Sequence, residues 1–254
     1  SAKGSTLLAN DPHLELTAPS VWYLARLELE NGGVIGGTIP GSPMILTGRS
    51  ADIGWGITSS YLDDQDIFIE ELNPLDSTQY KTADGWKDFE TRDSVINVKD
   101  QPAVTLRLRW TDNGPVFPGS LYDLGTITPP GHVTSISWTA LSHEDTTMSA
   151  ALQLMKSQTI DQALLASELY VAPSQNLVVA DRNAIAMKTI GAFPDRNPNH
   201  QSAGRLPSFG YLTQNQWTGI RPDTSNPVFR NPIGGIVGNT NNKVVDDPFP
   251  NHMS

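Results

Sequence analysis

The 254-residue chain is predicted to be α+β with mainly antiparallel sheets, on three observations. Period-two segments separated by tight turns fill the first 72 residues. Helical periodicity is confined to residues 145–170, and strand-like segments return after Pro173. Strands, then helices, then strands give that class.

Taken in order, Tyr23 to Glu30 alternates, with Tyr23, Ala25, Leu27 and Leu29 on one face and Leu24, Arg26, Glu28 and Glu30 on the other. Asn31-Gly32-Gly33 supplies residues tolerant of positive φ for a hairpin turn into Val34-Ile35-Gly36-Gly37. Ile39-Pro40-Gly41-Ser42-Pro43 breaks the next strand, which resumes at Met44-Ile45-Leu46-Thr47, and Ile53 to Ser60 is a further short strand. Residues 73–130 read as an irregular, hydrophilic insertion with one clean strand, Val104, Leu106, Leu108 and Trp110 facing one way. Asp112-Asn113-Gly114-Pro115 closes that strand, and Ile127 to Gly131 is a loop. Met148, Leu152 and Met155 recur at helical spacing. Thr159-Ile160-Asp161-Gln162 matches a capping box, and Leu164, Leu165 and Leu169 carry the second helix onward. Asn176 to Ala180 reads as a fully buried strand, Asp181-Arg182-Asn183 as a turn, and Ala184 to Thr189 as the returning strand; beyond Gly191 the chain is mostly loop. The layout is one domain over 1–254 with the insertion set into it.

Composition narrows the function. A net charge of −10 without any Lys/Arg run argues against nucleic acid and anionic membrane as partners. With no cysteine, disulfides, thiolate zinc sites and cysteine nucleophiles are excluded. No apolar run reaches transmembrane length, no Gly-x-Ser-x-Gly elbow occurs, and nothing calls for an organic cofactor. His132, His143, His200 and His252 share no metal-ligand spacing and read as surface residues.

The most informative stretch is Leu7-Leu8-Ala9-Asn10-Asp11-Pro12-His13-Leu14. It resembles the segment that follows the catalytic N-terminal serine in the β-subunit of penicillin acylases, which are N-terminal-nucleophile hydrolases. Further blocks share the family's order and spacing: Pro40 to Pro43, Trp55 to Ser59, Asp63 to Phe68, Pro173 to Asn176 with Ala180-Asp181, Arg205 to Pro207, Trp217 to Gly219 and Asn239 to Val245. The resemblance runs along the whole chain. It implies a partial αββα sandwich and hydrolysis of a linear N-acyl amide, of penicillin, cephalosporin or acyl-homoserine-lactone type, through a serine acyl-enzyme whose own α-amino group serves as base. It sets the nucleophile upstream of Ser1, so that Ser1 reads as a new terminus and the chain as inactive alone.

By motif position, the resemblance makes the backbone N–H of Ser59 and the side-chain amide of Asn241, with Asn242 as its one-residue alternative, the donors to the tetrahedral oxyanion. His13 would position the nucleophile or intermediate, and Leu14, Thr47, Ile57 and Tyr61 would line the acyl site. Asp63-Asp64-Gln65-Asp66 is an acidic turn able to offer calcium hard oxygens. The resemblance implies a structural calcium held by Asp63, Asp66 and the carbonyls of Gln65 and Gly204, with Asp247 as an addition. It also implies an α-subunit from the same precursor and a periplasmic or secreted location. A competing expectation is a non-catalytic binding or scaffold domain derived from the same fold; a lesser one is a metal-dependent hydrolase using His13 and Asp63 to Asp66.

Overall fold

The structure, a computed structural model, describes residues 4–30, 32–221 and 225–245. Its strands and helices in chain order are β1 (Tyr23–Leu29), β2 (Gly32–Thr38), β3 (Thr47–Arg49), β4 (Gly54–Ser59), β5 (Gln65–Asn73), β6 (Asp76–Thr82), β7 (Gly85–Asp88), β8 (Glu90–Ile96), β9 (Val104–Thr111), β10 (Gly114–Phe117), β11 (His132–Trp138), α1 (Thr147–Lys156), α2 (Ile160–Ser167), β12 (Gln175–Ala180), β13 (Ile185–Ile190), β14 (Phe193–Arg196), β15 (Ser208–Phe209), β16 (Trp217–Arg221) and β17 (Val228–Arg230). The class is α+β with largely antiparallel sheets, as expected. The chain divides into two compact units, one of Ser1–Asp63, Ser142–Phe193 and Arg221–Ser254, the other of Asp64–Leu141 and Pro194–Ile220.

The first unit is built on a seven-stranded sheet in the order β1-β2-β3-β4-β12-β13-β17, every neighbouring pair antiparallel. One face packs on α1 and α2 through Trp55, Leu177, Val179, Ala186 and Ile190 from the sheet and Met155, Ile160 and Ala163 from the helices. Trp55 is fully buried, and its indole N–H donates to the Ile45 carbonyl at 3.0 Å, so the largest core side chain leaves no unpaired donor. Met44 to Leu46, expected as strand, is not extended sheet; β3 begins only at Thr47. The backbone there is spent on other partners. The Ile45 N–H reaches the Met155 sulfur at 3.3 Å, and its carbonyl takes the Trp55 indole. The expected hairpin turn falls partly on Asn31, outside the described residues; Gly32 follows with φ of 106°.

Residues 4–10 cross the other face of this sheet. The Thr6 hydroxyl donates to the Asp181 carbonyl, and the Asn10 amide donates to the Ile57 carbonyl at 3.0 Å. Glycines in β4 make room for the crossing. A Cβ at Gly54 would stand 3.0 Å from Leu8 Cδ2, and one at Gly56 2.6 Å from Asn10 Cγ.

The second unit carries the sheet β7-β6-β5-β11-β10-β9-β8, with β15 pairing parallel to β5. Residues 73–130 thus contain β6 to β10 rather than an irregular stretch with one strand. Hydrophobic periodicity misses these strands because cross-strand polar pairs hold them. Arg107 donates to both oxygens of Asp93 at 2.8 and 3.1 Å, Lys81 pairs Glu71 at 2.7 Å, and Gln79 donates to Asp88 at 2.9 Å. The turn at Asp112-Asn113 forms as expected, with Gly114 at φ 120°.

Candidate functional site

Once Asn10 is fixed on β4, the next four residues, Asp11 to Leu14, run along a cleft of about 540 Å³ in the first unit. Ile57, Thr58 and Ser59 at the end of β4 line it, as do Gln175 at the start of β12 and Asn241 from the C-terminal loop. His13, Leu14, Ile57, Ser59 and Asn241, spread across the sequence, therefore meet in one place. The volume suits a small-molecule ligand.

Each polar member is held differently. Ser59 ends β4 with its carbonyl accepting from the Asn176 amide at 3.2 Å; Asn176 is fully buried, and its own oxygen accepts from the Thr189 hydroxyl at 2.8 Å. Asn241 has φ of 59°, a left-handed conformation that Asn tolerates, and its N–H donates to Asn239 Oδ1 at 2.7 Å. The neighbouring Asn242 is spent inside the turn. Its Oδ1 accepts from the Thr240 N–H and hydroxyl at 3.1 Å each, and its Nδ2 donates to the Lys243 carbonyl at 2.9 Å. Of the two asparagines, Asn241 is the one that lines the cleft. His13 stands 3.8 Å from Asp11 with side chains 77% and 89% exposed, too open for the pair to fix the ring strongly.

The apolar wall is partly as expected. Leu14 and Ile57 line the cleft, whereas Thr47 and Tyr61 do not. Leu46 takes the cleft side, and Thr47, one residue on, lines the groove beside residues 5–8. Tyr61 follows the end of β4 in a left-handed turn, φ 53°, and is half exposed. Much of the remaining wall comes from Trp22, Ile39, Met44, Leu46, Met148 and Tyr170, none of which lies in the family-like blocks. Helical spacing had singled out Met148; its 44% exposure marks it as a wall residue rather than core. Burial pushes the Tyr170 hydroxyl up to about 12, with the Asp145 carboxylate acting in the same direction, so it stays a neutral donor at physiological pH.

The residues expected to hold calcium divide differently. In the second unit Asp66 is 3% exposed, and Arg196 grips it by two nitrogens, Nε to Oδ2 at 2.9 Å and Nη2 to Oδ1 at 2.8 Å. The Trp217 indole donates to Oδ2 as well, and the Gln65 carbonyl accepts from Arg196 Nη2 at 3.5 Å. Gly204, at φ 84°, lies against both Arg196 and Asp66. The positive charge that Asp66 and the Gln65 carbonyl face in the structure is the Arg196 guanidinium. Among the described residues no group of three His, Cys, Asp or Glu is arranged to hold a metal. Asp63 belongs to the first unit, and Ser1, Asp247 and His252 lie outside the described residues. His200, expected at the surface, is 9% exposed, with Nδ1 accepting from the Ser202 N–H at 3.1 Å.

The penicillin amidase family model matches residues 1–254, and the chain belongs to that family. It is 28% identical over 259 residues to the acyl-homoserine lactone acylase QuiP of Pseudomonas aeruginosa, covering 100% of this chain and 30% of that protein. It is 27% identical over 242 residues to the penicillin G acylase of Escherichia coli, covering 95% of this chain and 27% of that one. Among solved structures it superposes on a thermostable penicillin G acylase from Alcaligenes faecalis with TM-score 0.81 and 26% identity, over 94% of this chain and 41% of that one. The chain thus spans less than a third of the curated relatives' length. Among the described residues no helix is long and apolar enough to cross a membrane.

Proposed function

We propose that this chain supplies the oxyanion site and acyl-binding wall of an enzyme that hydrolyses linear N-acyl amides through a serine acyl-enzyme. The observation that carries this is the meeting of His13, Ser59 and Asn241 in one cleft with an apolar wall. Attack on the amide carbonyl gathers negative charge on its oxygen. The Ser59 N–H and the Asn241 amide are the donors for that charge, and they act most strongly where water is excluded. The wall of Leu14, Ile57, Met44, Leu46 and Tyr170 takes the acyl group; the leaving amine faces the open mouth. His13 orients the nucleophile. The nucleophilic serine, with its own amino group as base, comes from polypeptide outside these residues, and the chain alone is inactive. This accords with relatives about three times as long.

The test uses the complete polypeptide from the full reading frame and a panel of N-acyl p-nitroanilides with acetyl, phenylacetyl and long aliphatic acyl groups. Amide cleavage with accumulation of an acyl-enzyme is expected, and Asn241→Ala should lower kcat by about 10²- to 10³-fold, as loss of one oxyanion donor does. Unchanged kcat in Asn241→Ala, or no cleavage of any member by the parent enzyme, would overturn this function.

A further inference from the structure

We propose that Asn239 is a positioning residue that fixes the distance between the two oxyanion donors, and that Thr58 is its anchor on β4. The proposal rests on Ser59 and Asn241 being those donors. A side-chain amide oxygen has two lone pairs, and Asn239 Oδ1 uses them on the two halves of the site. It accepts from the Thr58 hydroxyl at 3.1 Å and from the Asn241 N–H at 2.7 Å. Thr58 immediately precedes Ser59, so one oxygen atom bridges the strand carrying the first donor to the loop carrying the second, across 181 residues of sequence.

The rest of the turn is arranged around that atom. Asn239 Nδ2 donates to the Asn242 carbonyl at 2.8 Å, which closes the turn and leaves Asn241 in its left-handed conformation. On the opposite strand Asn176 faces Thr58 in register and holds the Ser59 carbonyl, so the end of β4 is tethered on both sides. Loss of the Thr58 hydroxyl leaves the loop its internal hydrogen bonds and removes only its tie to β4, whereas loss of the Asn239 side chain also removes its bonds to Asn241 and Asn242 within the turn. A shift of about 1 Å in a catalytic group costs up to about 100-fold in rate.

The experiment measures kcat and KM in the complete enzyme on the best-cleaved p-nitroanilide, for Asn239→Ala, Thr58→Val, Thr58→Ser, the double variant Asn239→Ala/Thr58→Val, and Asn241→Ala as reference. Asn239→Ala and Thr58→Val are each expected to lower kcat by about 10- to 100-fold with KM little changed, the split shown by an interaction made only in the transition state. Thr58→Ser, which keeps the hydroxyl, should recover most of the rate lost in Thr58→Val. The double variant should be no worse than the poorer single, because both cut the same bridge. If Asn239→Ala lowers soluble yield, Thr58→Val reads the same bridge without touching the loop. Parental kcat in Asn239→Ala and Thr58→Val beside an impaired Asn241→Ala would overturn the positioning role and leave the oxyanion assignment standing. Parental kcat in Asn241→Ala would remove that assignment and the positioning role with it.

Discussion

A Cβ built at Gly56 would stand 2.6 Å from Asn10 Cγ and 2.7 Å from its Cβ, so the space left by hydrogen lets Asn10 lie on β4 and donate to Ile57. Gly56→Ala is expected to lift residues 8–10 off the sheet and destabilise the fold by about 1–3 kcal/mol, the usual cost of overpacking; the midpoint of urea unfolding reads it. His200 offers a second test. Burial lowers its pKa below the ordinary 6.5, Asp66 opposing the shift and Arg196 adding to it. The unfolded chain therefore takes the proton more readily than the folded one. The stability from the neutral ring is present above pH 6.5 and is lost as pH falls below it. His200→Asn, which keeps an acceptor near the Ser202 N–H without titrating, should flatten that dependence in urea midpoints taken from neutral to mildly acidic pH. At this scale the sequence was most legible where motifs mark residues that the fold brings together. Asn10, His13, Ser59 and Asn241 all meet at the cleft or its anchor. His200 was misread because burial of a single histidine follows from the fold around it and has no signature in spacing.

The capping box at the start of α2 is a local device, and it formed. Thr159 Oγ1 accepts from the Gln162 N–H at 3.2 Å, while Gln162 Oε1 reaches one residue further back than the motif specifies, to the Gln158 N–H at 2.7 Å. Thr159→Ala should cost about 1 kcal/mol by removing the acceptor of an otherwise unpaired first-turn donor, seen as a lower unfolding midpoint at unchanged slope. The apolar stripe of α1 was less legible. Ala150, Ala151 and Met155 are buried, whereas Leu152 is 46% exposed. Small side chains allow a helix to approach the sheet closely, so the residues that decide packing are here not the large ones. The strand β9 shows the converse. Its alternation was read correctly, yet Val104 and Leu106 remain 47% and 45% exposed, because period-two patterning reports which residues share a face and not whether that face is covered.

The second unit was the least legible part of the whole molecule, for a topological reason. It is assembled from two segments, Asp64–Leu141 and Pro194–Ile220, separated by chain that belongs to the first unit. Local patterning sees neither the gap nor the pieces that close it. The closure is done by a few long-range contacts: Arg196 and Trp217 on Asp66, the parallel pairing of β15 with β5, and Asn113 donating to the Gly210 carbonyl at 3.4 Å. Among these the buried ion pair carries the largest consequence, since removing one partner strands a charge with little access to water. Asp66→Ala is therefore expected to cost about 3–5 kcal/mol. Because the two segments fold as one compact unit, the loss should appear as faster amide hydrogen exchange across both of them together. Amides of β12 and β13, in the first unit, should keep their protection. Exchange confined to the immediate neighbours of residue 66 would show that the pair is a local ornament of the loop. The same measurement separates a guanidinium from a metal ion as the source of positive charge. With Arg196 in that role, a calcium chelator leaves the exchange pattern of the parent protein unchanged, whereas a pattern that moves towards that of Asp66→Ala on chelation would show that calcium, and not Arg196, closes the unit.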